Sequence, residues 1–241
     1  MTARSLADPH CHTTASDGMV SPRELVSAAV TLGLRLIAIS DHDTMAGADE
    51  VWERGGEAGL AVIKGQEVTT AWPSQTHVLA WFLEHPIPSG RGLAWTVDAI
   101  HDQGGLAIIP HPFMPTYFAS CQPQMLRRLI EDRTVDGVEL LHTAPITPGR
   151  LRRLRAFYEE HEERLGAAVG SSDSHFGIHD LGRALTDFEG TSVEDFRRGV
   201  LEHTVRPVPG RRVSVPIWEQ IRQQRRSLVE LPLRRITGQL E

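Results

Sequence analysis

The sequence of 241 residues predicts an α/β protein whose strands close into a barrel. Three observations carry this expectation. Apolar runs of strand length alternate with helical patterns about seven times, the rhythm of a mostly parallel sheet. Nearly every such run terminates in His, Asp or Glu, and only a closed barrel collects all those strand ends on one rim. An open doubly wound sheet would want a Gly-rich phosphate loop after its first strand. "GRGLAW" does not complete that fingerprint, and no Walker lysine appears.

The elements follow in order. The first strand runs into "LADPHCHTTASDG" (residues 6–18). Successive strand residues face opposite sides, so His10 and His12 share one side while Cys11 points the other way, toward a core; Asp17 follows closely. "SPRELVSAAVTLG" is a helix with Ser21 as N-cap, Pro22 at its first position, Glu24 completing a capping box and Gly33 closing it. "RLIAISDHDT" is a buried-strand run that ends in Asp-His-Asp, placing His42 and Asp43 at its tip. After the helical "AGADEVWERGGEAG", "LAVIKGQEVTT" ends near Glu67 and "THVLAWFLE" opens with His77. That link is too short for a crossover helix, so the rhythm breaks there. "GLAWTVDAIHDQGG" precedes the strand "GLAIIPHP", which ends at His111. "QPQMLRRLIEDR" precedes "VDGVELLH", which carries Glu139 and ends at His142. The helix "PGRLRRLRAFYEEHEERLG" presents Arg150, Arg152, Arg153 and Arg155 as a solvated face. "GAAVGSSDSH" closes the series at Asp173 and His175, and "TSVEDFRRGVLEH" is a final helix.

Such a barrel draws His10, His12, Asp17, His42, Glu67, His77, His111, Asp173 and His175 into one pocket. Buried together without cations, the carboxylates would repel and the imidazoles would lack acceptors. Mixed imidazole and carboxylate donors suit borderline divalent ions. With Cys11 and Cys121 the only cysteines, a closed thiolate zinc site and a disulfide framework are both excluded. Composition is that of an ordinary globular protein, 40% hydrophobic and 23% charged. No apolar run approaches a membrane span and the N-terminus lacks a signal-peptide core, so a cytoplasmic location is expected. A net charge of −6 argues against wholesale nucleic-acid binding, although residues 206–241 carry eight Arg against three Glu.

"DPHCHTTASDG", "AISDHDTMAG", "GQEVTT", "THVLAW", "GGLAIIPHP" and "GSSDSH" resemble, in order, the motifs of the PHP (polymerase and histidinol phosphatase) family of phosphoesterases. The resemblance implies a distorted (β/α)7 TIM-like barrel with the metal site at the C-terminal ends of the strands. It also implies two to three divalent metal ions of Mn, Fe, Zn or Mg. Carried onto this chain, His10, His12, Glu67 and Asp173 would hold one metal and Asp17, His42 and His175 a second. A bridging Glu67 would join His77 and His111 on a third. A water activated by the cluster, with Glu67 and Asp173 in the catalytic set, would then attack a phosphomonoester of a nucleotide or small metabolite. Three divalent ions outweigh the three ligand carboxylates, which favours an anionic substrate. The family also contains exonucleases, so a 5′-3′ exonuclease or 3′,5′-bisphosphate nucleotidase acting on nucleic-acid ends is the alternative. The connection from His77 to His111 leaves little room for the inserted subdomain of that branch.

Asp8 and Asp43, beside ligands, are candidate acceptors for imidazole N–H groups, with helix capping or loop bonding the competing role for Asp43. Arg183, His179 and His142 are candidate substrate contacts, Arg183 by a bidentate clamp on phosphate or else as a structural ion pair. His85, His161 and His203 sit in polar contexts and read as solvated. The chain divides into a barrel domain at 1–205 and a basic segment at 206–241. There "RPVPGRR" reads as a linker, and a helix carries Ile217, Trp218, Ile221 and Leu228. Docking of that helix through Trp218 and Ile221 competes with steering of nucleotide or RNA, and with a peripheral membrane contact. Two other classes remain open: a metal-dependent amidohydrolase, against which Lys64 stands out of phase with Glu67, and a non-catalytic PHP-fold binding protein.

Overall fold

The computed structural model describes residues 3–116 and 118–231. The chain runs β1 (Arg4–Cys11), α1 (Pro22–Thr31), β2 (Leu36–Ile39), α2 (Ala48–Glu57), β3 (Ala61–Ile63), β4 (Gly65–Thr69) and β5 (His77–Trp81). It continues α3 (Leu93–Asp102), β6 (Leu106–Ile109), α4 (Pro123–Asp132), β7 (Gly137–His142), α5 (Pro148–Leu165) and β8 (Ala167–Ser171). A short 3-10 turn (Gly177–His179) leads to β9 (Ala184–Glu189), α6 (Val193–Leu201), β10 (Arg206–Pro209) and α7 (Ile217–Arg225). A π-helical turn follows at Arg226–Glu230. The helices lie where the patterning puts them. Ser21 and Glu24 form the reciprocal capping box on α1, whose Leu25, Val26 and Ala29 turn inward.

The closed barrel is not what forms. The strands divide into two mixed five-stranded sheets, ordered β10-β9-β1-β2-β3 and β4-β5-β6-β7-β8. A (β/α) barrel requires every strand to be parallel to its neighbours, and this chain reverses direction in both sheets. β5 is antiparallel to β4 and to β6, and β9 is antiparallel to β1 and to β10. The short link between Glu67 and His77 is the first of these reversals. The apolar run 60–70 also breaks in two. β3 pairs with β2, whereas β4 pairs with β5, and the chain passes from one sheet to the other at Lys64–Gly65. Gly65 is needed there because a Cβ would lie 2.2 Å from the carbonyl oxygen of Ala80.

The two sheets meet along two seams. At one, His42 and Glu67 form an isolated parallel bridge; at the other, Cys11 and Ser174 do the same. The backbone amide of His12 donates to Ser174 O (2.8 Å), and that of Ser174 donates to His10 O (3.0 Å). The polar strand ends therefore gather where the sheets abut. Behind them the apolar faces pack, with Leu36, Leu79, Trp81, Ile108, Phe188 and Phe196 fully or almost fully buried. Phe196 meets Trp81 and Phe188 at ring separations of 5.6 and 5.3 Å. Each such side chain contributes about 1.5–3 kcal/mol on burial.

The "RPVPGRR" stretch, read from sequence as a linker, supplies β10, which pairs with β9 at the sheet edge. Pro207 and Pro209 fit because an edge strand does not need both rows of ladder hydrogen bonds. The docking of α7 also differs from expectation. Trp218 and Ile221 are 60% and 64% exposed, and Ile217 and Leu228 are exposed too. The helix meets the body through Gln223 and Arg226 instead. The surface it covers is a loop of carbonyls and a carboxylate, so polar side chains are its natural complement. The part of the basic segment from 232 onward lies outside the described residues.

Candidate metal centre

β1 delivers His10 and His12 side by side, their Nε2 atoms 3.1 Å apart. The loop after β1 folds back so tightly that a Cβ on Gly18 would lie 2.6 Å from the carbonyl carbon of His12, which returns Asp17 toward the two imidazoles. Asp41 holds this loop by accepting from Thr13 N (2.7 Å), Thr13 Oγ1 (2.7 Å) and Ser16 Oγ (2.6 Å). The bridge between the sheets brings His42 against Glu67, and β5 and β6 carry His77 and His111 to the same place. The loop after β8 brings Asp173 and His175. His111 (φ 31°), Asp173 (φ 52°) and Asp43 (φ 55°) adopt left-handed backbones, a conformation that costs a residue with a side chain of order 1 kcal/mol or more. That strain is located at the cluster.

Glu67 is the hub. Its Oε1 lies 2.8 Å from His77 Nδ1 and 3.0 Å from His111 Nε2. Its Oε2 lies 3.3–3.4 Å from His10, His12 and His42. Asp173 Oδ1 lies 3.3 Å from His10 Nε2 and 3.2 Å from His12 Nε2. Asp17 Oδ1 lies 3.2 Å from His175 Nε2 and 3.7 Å from both His12 Nδ1 and His42 Nε2. The donor atoms form three overlapping groups able to hold a metal: His12, Asp17, His42 and His175; His10, His12, Glu67 and Asp173; His42, Glu67 and His77. His111 reaches the third group through Glu67 Oε1 rather than as a member of it.

The donor set fits divalent ions. Asp17 Oδ1, Asp173 Oδ1, His12 Nδ1 and His111 Nδ1 are buried with no hydrogen-bond partner among the described residues. A buried carboxylate oxygen facing only imidazoles is costly unless something positive sits before it. The electrostatics agree. Burial opposes the charge on Glu67, yet His77, His42 and His10 hold its carboxyl well below the usual range. Asp17 and Asp173 are likewise held low against burial by the surrounding histidines. Among the imidazoles, burial and then His175 push His12 down to about 4. His175 rises to about 10 because Asp17 and Asp173 outweigh its burial. The site thus keeps three carboxylates ionised beside two imidazoles, His12 and His77, that burial holds toward the neutral, lone-pair-donating form.

Around these groups lies a supporting layer. Glu139 on β7 is fully buried; its Oε1 is 2.9 Å from His10 Nδ1, and it accepts from His111 N (2.7 Å) and from Ser171 Oγ. Asp180 accepts from His175 N (2.7 Å), Ser174 Oγ (2.6 Å) and Phe176 N (2.9 Å). Asp8 and Asp43 are near the cluster, and backbone amides are among their donors: Ser172 N and Gly182 N for Asp8, Thr69 N for Asp43. Burial pushes Asp8 up to about 7. His142 stands next to the cluster with both ring nitrogens buried and unpartnered, and burial takes it down to about 4. His179 is exposed, outside the cleft walls. Arg183 lines the cleft together with Asp17, Asp173 and His175.

Sequence reasoning missed Gln223. Its amide, 7% exposed, donates to Asp17 Oδ2 at 2.9 Å, while Arg226 donates to Ser16 O (2.9 Å) and Thr14 O (2.8 Å). Nothing in a polar helix 206 positions downstream could have signalled this contact. Two further readings are corrected. Arg150 turns inward, donating to Met114 O at 3.0 Å, and His161 packs on the Phe157 ring. Lys64 pairs with Asp49 (3.0 Å), away from Glu67.

The PHP domain pattern matches residues 8–202. The chain belongs to the PHP domain family. Among curated PHP-related proteins, it is 36% identical over 102 residues to a 5′-3′ exoribonuclease of Haemophilus influenzae, spanning 42% of this chain and 37% of that one. It is 24% identical over 206 residues to a 3′,5′-nucleoside bisphosphate phosphatase of Chromobacterium violaceum, spanning 75% and 70%. A crystal structure of a two-domain protein from Bacteroides vulgatus, containing a predicted PHP-like metal-dependent phosphoesterase, superposes with a TM-score of 0.72. It covers 92% of this chain and 69% of that one at 20% identity, a likeness of fold. No helix among the described residues is long and apolar enough to cross a membrane.

Proposed function

We propose that this PHP-family phosphoesterase, a hydrolase of phosphate ester bonds, removes the phosphate from a phosphomonoester of a nucleotide or small metabolite. The observation that carries the reading is the pair of buried, unpartnered oxygens, Asp17 Oδ1 and Asp173 Oδ1, each facing imidazoles of a different donor group. His10, His12, Glu67 and Asp173 would hold one divalent ion, and Asp17, His42 and His175, with His12, a second. Glu67 and His77 would hold a third, with His42 completing the group and His111 beside it against Glu67 Oε1. When bound, such ions lower the pKa of water toward about 7 and neutralise phosphoryl oxygens. The chain's own residues perform the rest. Glu67 ties the donor groups together, Glu139 orients His10 and the His111 backbone, and Asp180 fixes the loop that carries His175. A loaded pocket bearing more positive charge than its carboxylates cancel suits a dianionic terminal phosphate better than a singly charged diester.

A second reading, cleavage at the 5′ end of RNA, draws support from the likeness to the exoribonuclease. A screen of the Mn-loaded protein against phosphomonoesters, bisphosphorylated nucleosides and 5′-phosphorylated RNA separates the two. Turnover of small esters is the expected result. Cleavage of RNA ends with small esters untouched would overturn the first reading, and no turnover of any phosphate ester would overturn both.

A further inference from the structure

α7 and the π-helical turn after it have two unlike faces. The inner face is polar. Gln220, Gln223, Gln224 and Ser227 line the metal cleft, and Gln223 and Arg226 bond the loop after β1. At about 100° per residue, the side of α7 opposite Gln223 carries Ile217, Trp218, Ile221, Arg222 and Arg225. Leu228 and Val229 add exposed apolar surface one turn further on. Nowhere else among the described residues do exposed large hydrophobic side chains gather so closely; the others stand apart along the chain. Single exposed apolar residues are ordinary, but a contiguous apolar face on the surface marks a place of contact.

The charge on this face says what kind of contact. Glu230 is engaged by Arg225 at 2.8 Å, and Glu219 is half-buried. Arg222 is exposed and forms no ion pair among the described residues. Residues 206–241 carry eight Arg against three Glu in a chain of net charge −6, so the basic charge is concentrated in this segment. A second copy is a poor occupant. Symmetric pairing of α7 would set the arginines of one face against those of the other. A helical segment about 21 Å long and one helix wide also falls well short of the roughly 800 Å² per partner that stable pairing needs. A convex face of Trp, Ile, Leu and Val mixed with Arg suits an anionic lipid surface instead. The aliphatic side chains enter the acyl boundary, the indole lies at headgroup level, and the guanidinium groups reach lipid phosphates.

We infer that the outer face of α7, built on Ile217, Trp218, Ile221 and Arg222, is a docking surface for an anionic lipid bilayer. Gln223 points the opposite way, so attachment leaves its bond to Asp17 in place and holds the metal cleft behind the helix, close to the bilayer. The inference is independent of which phosphate ester the cleft accepts.

The test is co-sedimentation of the full chain with vesicles of phosphatidylcholine containing about one-third phosphatidylglycerol, and with phosphatidylcholine alone. Each basic side chain near an anionic surface is worth about fivefold in partitioning. The wild type should therefore bind the anionic vesicles about tenfold or more tightly than the neutral ones, and added salt should weaken that binding. Arg222→Glu, a change of two charges, should weaken it by about thirtyfold. Trp218→Ser and Ile221→Ser should each cost about tenfold or more through lost apolar burial. Trp52→Ser removes an equally exposed tryptophan from α2 and should change binding by less than about twofold. Thermal melts and chelator competition check that the variants keep their fold and their metal affinity. A wild type that ignores anionic vesicles overturns the proposal, as does equal binding to both vesicle types. Undiminished binding in folded Trp218→Ser and Arg222→Glu overturns it too. A concentration-dependent dimer that Trp218→Ser abolishes, with vesicles left unbound, gives the face to a second copy and equally overturns the proposal.

Discussion

Gln223→Ala isolates what the C-terminal helix does for the metal centre. Gln223 donates to Asp17 Oδ2 at 2.9 Å, leaving Oδ1 to face His12, His42 and His175. Removing the amide leaves the helix anchored, because Arg226 still bonds Ser16 O and Thr14 O. It deprives a buried carboxylate of its one donor on that oxygen among the described residues. A hydrogen bond to a charged group is worth about 1.5–3 kcal/mol. At 1.4 kcal/mol per decade, that is a loss of about 10- to 150-fold in affinity for the ion that Asp17 helps to hold. The range agrees with the cost of about 10–100-fold for groups that orient metal ligands elsewhere. Competition against a chromogenic chelator reads this affinity directly, and a thermal melt checks that the fold persists. Gln223→Glu places a second carboxylate beside Asp17 and should cost at least as much. Unchanged affinity in a folded Gln223→Ala protein would refute the reasoning and leave the helix a passive cover.

Other outcomes follow from the same geometry. Purified without chelator, the protein should carry two to three divalent ions per chain, and elemental analysis finding less than one after reconstitution with Mn or Zn would remove the basis for the site. Glu67→Gln keeps the shape of the hub but removes its charge from two of the three donor groups. Phosphatase activity should fall by about a thousandfold or more with the fold intact, whereas exposed His85→Ala should stay within about twofold of wild type. Glu139→Gln should weaken metal loading by about 10–100-fold, read by the same chelator competition. Deleting residues 214–241 should leave a folded protein with weakened metal binding, and turnover equal to that of the full chain would count against any role for Gln223.

Much of the centre was legible because its residues are of one chemical kind at one kind of place. His10, His12 and His77 stand at or next to a strand end, His42, His111, Asp173 and His175 follow within four residues of the ends of β2, β6 and β8, and period-two alternation aims His10 and His12 the same way. Glu67, expected at a strand end, sits in the middle of β4. What was illegible depended on pairing partners rather than on local pattern. A strand's direction relative to its neighbours is decided by contacts distant in sequence, so β9 and β10 went unread and two mixed sheets were taken for one closed barrel. Glu139 could be singled out on its strand, but not tied to His10 and Ser171. Trp218 and Ile221 misled because helical spacing finds an apolar face without revealing whether anything covers it.

The two-sheet arrangement bears on how the site is kept in order. In a closed barrel, ladder hydrogen bonds would run unbroken behind the strand ends. Here the seams carry isolated bridges, and one of them joins His42 to Glu67. Buried polar bonds take over the work of the missing ladder. Glu139 links β7 to β1 through His10, and Asp8 links β1 to Ser172 and Gly182. Thr186 on β9 both accepts from Gly170 N (3.0 Å) and donates to Gly170 O (2.8 Å) of β8. Relative movement of the sheets would pull the donor groups apart, since His10 and His12 ride on one sheet and Glu67 and His77 on the other. An ion held by His10, His12, Glu67 and Asp173 would therefore clamp the sheets together. Metal loading should accordingly raise the melting temperature by mass action, and Glu67→Gln should lose most of that rise because it removes the charge from the far side of the clamp.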